Sequence, residues 1–174
     1  LFSSSSPAPV VVPPPQITAA PEPEKQNFTP TEKDDSVEIP FINIEAPLIF
    51  AQSGQVKELT KDLERVIVVY PDSALAGGKG EITILGHSAP PFWPKIRYEW
   101  VFSKLNDLNP GDEVLVNFER RQYRYQVTKK IFLERGQEIT SDSDRNSSQF
   151  LYLLTCWPPG RDLRRLVVEA VISE

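Results

Sequence analysis

No apolar run in this sequence goes far before a proline, a glycine or a polar cluster stops it. Val37 to Phe50 is β-branched and apolar but is broken at Pro40 and Pro47. Val66 to Tyr70 ends at Pro71, and Glu81 to Gly86 carries Ile82 and Ile84 on one face. Asn109-Pro110-Gly111-Asp112 is a strong turn signal. After it come two alternating segments, Val114-Val116-Phe118 and Tyr123-Tyr125-Val127, which read as a hairpin turning at Arg120-Arg121. The last two runs are Phe150 to Thr155 and Leu166 to Ile172. That makes about eight short strands. Helical spacing occurs only in Lys57 to Arg65, through Leu59 and Leu63, and in Tyr98 to Leu108, through Phe102 and Leu105. The long alternating helices that a parallel sheet requires are missing. The pattern predicts a mainly β, mainly antiparallel fold, closed or nearly closed into a barrel, with one or two short helices. The prolines predict edge strands within 37–50.

Composition divides the chain. Residues 1–36 hold eight of the 17 prolines, with Ser3-Ser4-Ser5-Ser6 and Pro13-Pro14-Pro15 among them. Such a stretch favours extended polyproline II and buries too little apolar surface to offset its ordering entropy. It reads as a disordered Pro/Ser-rich linker: either a stalk that holds a domain away from a membrane or wall, or a tail with no particular role. Residues 37–174 read as one folded domain, large enough to bury a core without staples. Two further segments interrupt it. Ala89 to Pro94 is a rigid aromatic loop directly after His87, and Glu134 to Ser148 is polar and serine-rich, which predicts a surface loop or a short helix.

The formal net charge is −5, of which −3 falls in residues 1–36 (five carboxylates against two lysines), so the domain is nearly balanced. That is no electrostatic footprint for nucleic acid. The single cysteine excludes an internal disulfide, and one Cys with one His cannot fill a four-ligand structural zinc site. No stretch reaches the ~20 apolar residues of a membrane span. The chain opens at Leu1 and has no methionine, so a fragment or processed form is expected.

The chemistry-bearing residues stand at strand ends. Cys156 closes one apolar run, and the next run begins at an arginine, with Trp157-Pro158-Pro159-Gly160 in the connection. Eight residues separate Cys156 from Arg165, so antiparallel pairing of the two runs brings both to one rim. His87 ends Ile82-Thr83-Ile84-Leu85-Gly86, and spacing does not fix its distance from them. A thiolate is a nucleophile and forms more readily beside a cation. A histidine can carry a proton to or from a leaving amine. An arginine cannot act as a base, but it can hold a developing oxyanion. Together these make acyl transfer through a thioester. The structural alternative stays open, since free cysteine often only packs.

The order of motifs resembles the sortases of bacterial cell surfaces. Leu153-Leu154-Thr155-Cys156 is similar to the strand that ends in the family's cysteine. Arg165-Leu166-Val167-Val168-Glu169-Ala170 is similar to the strand opened by its arginine, which favours Arg165 over Arg164 or Arg161. Leu85-Gly86-His87-Ser88 matches its Gly-His. Val101 to Val114, with Pro110-Gly111-Asp112, resembles its helix-turn-strand, and Ile39 to Leu48 its first strands. The resemblance runs from about residue 37 to 173 in the right order.

It implies a sortase-like closed eight-stranded β-barrel and a membrane-tethered cysteine transpeptidase. Cys156 would attack the carbonyl after Thr in a Leu-Pro-X-Thr-Gly-type signal, His87 would move the protons, and Arg165 would hold the oxyanion. Thr155, Trp157 and Ser88 are the implied substrate contacts. The implied partners are surface proteins with a C-terminal sorting signal and an amine acceptor of peptidoglycan or pilin. The implied location is the extracytoplasmic membrane face, through a missing N-terminal anchor. No metal or organic cofactor is implied, and no acidic set matches the calcium site of some members. Tyr152 stands where many members have threonine, with consequences expected for packing. Trp157-Pro158-Pro159 stiffens the last loop and shapes the signal pocket. Residues 1–50 lack the Asp-Pro-aromatic lid of pilin-polymerising members, which favours anchoring. A purely hydrolytic thiol peptidase and a non-catalytic wall-associated barrel are the alternatives.

Overall fold

The computed structural model describes residues 27–90, 98–139 and 149–173. Nine strands form one sheet: β1 (Thr29–Pro30), β2 (Ser36–Ile39), β3 (Ile44–Phe50), β4 (Ile67–Val69), β5 (Gly80–Leu85), β6 (Glu113–Phe118), β7 (Arg121–Glu134), β8 (Gln149–Trp157) and β9 (Arg164–Ile172). One helix, α1 (Val56–Leu63), lies between β3 and β4. The order is β1-β7-β6-β2-β3-β4-β5-β8-β9, and β9 pairs back onto β7. Eight strands therefore close a barrel, as expected, and β1 is added outside the ring.

Closure depends on β7. Its 14 residues serve two neighbours within the ring, with Arg121–Gln126 on β6 and Tyr125–Glu134 on β9. A bulge between Val127 and Lys129 marks the change of course, as an extra residue bends a strand. Thr128 there donates its hydroxyl to Glu169 Oε1 at 2.7 Å. Alternation then sorts the side chains. Val37, Ile39, Ile84, Val114, Tyr125, Leu151, Leu153, Leu166 and Val168 fill the interior. The opposite faces of β7, β8 and β9 pack a separate outer cluster of Leu133, Tyr152 and Val167. Leu59 and Leu63 of α1 pack outside the barrel on Val68 and Leu85.

Several local expectations are corrected. β2 and β3 are interior strands, because each proline sits where no ladder donor is lost. Pro40 opens a 3-10 turn, and Pro47 lies at the last β2 pair, one residue before β3 begins pairing with β4. Two pairings, β3–β4 and β5–β8, are parallel, and the other six around the ring are antiparallel. Residues 98–108 form turns and a 3-10 helix at Leu105–Asp107, not an α-helix. Tertiary bonds prevail there: Phe102 N–H donates to His87 O, and Ala89 N–H to Glu99 O. The hairpin turns at Glu119-Arg120, both with positive φ (49° and 59°), and Arg121 is already strand. That shape ordinarily calls for Asn-Gly, so the residues gave no signal.

The described part of the expected linker packs on the barrel. Thr29 and Pro30 pair with Gln122 and Arg121, and Phe28 lies 5.9 Å from the Tyr123 ring. Residues 1–26 of that linker, most of the aromatic loop (91–94) and most of the serine-rich loop (140–148) lie outside the described residues. Among the described residues, no helix is long and apolar enough to cross a membrane.

Candidate active site

Cys156 and Arg165 are direct cross-strand partners in the β8–β9 ladder. Cys156 shares the face of β8 that carries Tyr152 and Leu154, so both lie on the outer wall of the barrel near the strand ends. The rim expected from sequence is thus an outer groove.

His87 reaches the same groove through the parallel β5–β8 pairing, which runs from Gly80↔Gln149 to Leu85↔Leu154. Beyond the last pair, Gly86 N–H donates to Leu154 O at 3.1 Å and the Thr155 hydroxyl donates to Gly86 O at 2.7 Å. Thr155 is 2% exposed, so its hydroxyl serves this bond between strands. Ser88 donates its hydroxyl to Cys156 O at 2.6 Å, and its own carbonyl accepts from Gly160 N–H at 2.7 Å. The segment after the histidine is thereby stitched to the segment after the cysteine. Two glycines allow the close approach. A Cβ on Gly86 would stand 2.4 Å from the buried Phe102 ring, and one on Gly160, whose φ is +76°, would stand 2.3 Å from Pro90. Trp157 packs edge-on to Phe132, with ring centres 5.7 Å apart.

His87, Ser88 and Cys156 line one cavity of about 470 Å³. Thr60 of α1 and Glu64 just after it form one wall, Glu99 another, and Gly160, Arg161 and Asp162 a third. Burial pushes the His87 imidazole below its ordinary pKa, while the Glu99 and Glu64 carboxylates pull it back up. Burial pushes the Cys156 thiol up; Arg165 opposes this, and the Asp162 carboxylate adds to it. Both shifts favour a neutral thiol beside a neutral imidazole at rest.

Sequence reasoning missed Asp162, Glu64 and Glu99. Asp162 Oδ1 accepts a hydrogen bond from Cys156 Sγ at 3.6 Å and pairs with the Arg165 guanidinium. Its Oδ2 lies 3.4 Å from Arg135. Its place in the connection, three residues before Arg165, was the one available signal.

Comparison with known families matches residues 37–173 to the Sortase domain. The chain belongs to the sortase family. Membership carries the coarse activity, that of a sortase-type transpeptidase. Solved sortases share the fold. Sortase C1 of Streptococcus agalactiae is 26% identical with a TM-score of 0.64, over 80% of this chain and 67% of its own. Sortase A of Corynebacterium diphtheriae is 22% identical with a TM-score of 0.66, over 81% and 60%. Sortase C-1 of Actinomyces oris is 20% identical with a TM-score of 0.64, over 80% and 73%. This sortase chain thus spans about 60–73% of the length of these structures. No curated protein matches the chain by sequence.

Proposed function

We propose that this sortase domain cleaves a Leu-Pro-X-Thr-Gly-type sorting signal and transfers the carried protein to an amine acceptor. The observation that carries this reading is that Cys156 and His87 line one cavity while Arg165 is the direct cross-strand partner of Cys156. The Cys156 thiolate attacks the Thr carbonyl; a C–S bond forms and the carbonyl electrons move to oxygen. Arg165 donates to that oxyanion. As the tetrahedral centre collapses, the C–N bond to Gly breaks and protonated His87 gives its proton to the leaving amine. The acceptor amine then attacks the thioester, His87 takes its proton, and Cys156 leaves as thiolate. In this reading Thr155 acts by tying β8 to Gly86, and substrate contact falls to Trp157 and Ser88.

The stalk expected over residues 1–36 then gives way to the domain before its end, since Thr29–Pro30 and Ser36 already pair with the barrel, and the domain is held on the extracytoplasmic membrane face by an N-terminal anchor. The substrates are surface proteins with a C-terminal signal, and the acceptor amine comes from peptidoglycan or a pilin.

The test is intact-mass spectrometry of the domain with a Leu-Pro-X-Thr-Gly peptide library, with and without a short amine. A covalent adduct absent in Cys156→Ala, and ligated peptide when the amine is added, is the expected result. Adduct with only hydrolysed peptide in both conditions would favour a thiol peptidase. No adduct, with slow native thiol labelling, would favour a non-catalytic barrel.

A further inference from the structure

Asp162 lies on the short connection between β8 and β9, with its side chain 49% exposed, and touches two of the three groups the reaction uses, Cys156 and Arg165. One oxygen, Oδ1, accepts from the Cys156 thiol and from the Arg165 guanidinium together. The other faces Arg135, which follows the end of β7. A thiol can donate to a carboxylate; a thiolate cannot, and the carboxylate repels it. The same carboxylate occupies guanidinium hydrogens that an oxyanion would use. Both effects act in one direction, against attack.

We propose that Asp162 is a positioning residue that holds Cys156 as a thiol and occupies Arg165 until substrate arrives. Arg135 then provides the alternative partner for the displaced carboxylate. The contact suits this task because it is solvent-exposed. Exposed ion pairs are weak and screened by salt, so a bound carbonyl developing negative charge can displace the carboxylate. The inference rests on the assignment of Cys156 as nucleophile and Arg165 as oxyanion holder.

The experiment measures alkylation of the native domain by iodoacetamide, a neutral reagent, at pH 7 in low and high salt. Wild type is compared with Asp162→Asn and Asp162→Ala. Both variants should react at least about threefold faster than wild type at low salt. High salt should accelerate wild type and narrow the gap, which a purely structural role would not produce. Equal or slower alkylation in both variants overturns the proposal. Faster alkylation combined with slower peptide acylation overturns it too, because Asp162 would then hold Arg165 productively. Alkylation needs no sorting signal. Faster alkylation in a protein that never acylates any peptide would therefore leave the role of Asp162 standing and overturn the transpeptidase reading alone.

Discussion

Cys156 and Arg165 stand opposite each other across two adjacent strands, and the ladder between them fixes their separation. The guanidinium is supplied by rigid sheet, while its partner carboxylate Asp162 is supplied by a connection. A planar fork so placed can hold an oxyanion through more than one hydrogen, which an ammonium cannot match. Arg165→Lys should therefore fold normally and lower kcat about 10²–10³-fold, with a much smaller change in KM. Steady-state kinetics beside a thermal melt checks this; an unchanged kcat would remove Arg165 from the chemistry.

Burial lowers the His87 pKa and raises that of Cys156, so the reactive thiolate–imidazolium pair is a minority species. Its population peaks between the two values. Acylation kcat/KM should trace a bell, with its acid limb below the ordinary imidazole range and its alkaline limb above the ordinary thiol range. Replacing both wall carboxylates, Glu64→Gln with Glu99→Gln, removes charges that favour imidazolium. The acid limb should move to lower pH and the alkaline limb stay in place. Movement of the alkaline limb alone would contradict the assignment.

Gly86 carries His87 past the buried Phe102 ring with no room for a methyl group. Gly86→Ala should cost about 1–3 kcal/mol of stability through overpacking. Peptide acylation should fall more than stability alone explains, because the histidine is displaced. Gly86→Ala combined with Phe102→Leu, which trims the ring, should recover part of both. Denaturant melts and acylation rates measured together decide it.

Far from the groove, Asn117 is fully buried and donates to Ser36 Oγ at 3.0 Å and Glu38 Oε1 at 2.7 Å. Burial works against the Glu38 charge, but the Lys33 and Asn117 hydrogen bonds outweigh it and hold the carboxyl below its ordinary pKa. That contribution is present above the ordinary carboxylate range and is lost as pH falls through the lowered value. Asn117→Ala should destabilise the barrel by about 1–3 kcal/mol. Glu38→Gln should flatten the acid side of its stability curve. Chemical melts from pH 3 to 7 give both answers.

The strands were legible because each is a short alternating run ended by proline, glycine or a turn cluster, and the tail strands even gave the Cys156–Arg165 pairing from loop length. His87 could not be placed that way. Its neighbour β8 lies more than 60 residues later, in a parallel pairing that no local pattern encodes. The family motif supplied that link. Asp162 carried no motif at all; only the fold reveals that its carboxylate meets both partners. The edge-strand reading of 37–50 failed because a proline's cost depends on which neighbour needs its missing donor. The position of the ladder handover at Pro47 is a tertiary fact.

The stitch from Ser88 to Cys156 joins residues 68 positions apart, and the arginine's strand comes later still. A chain emerging from the ribosome carries its histidine long before its nucleophile, and both before β9. The thiol then meets its cation only when the last strand adds to the sheet and closes the barrel. The cysteine and its cation therefore become neighbours only as the ring closes, so assembly of the reactive pair and completion of the barrel are one event.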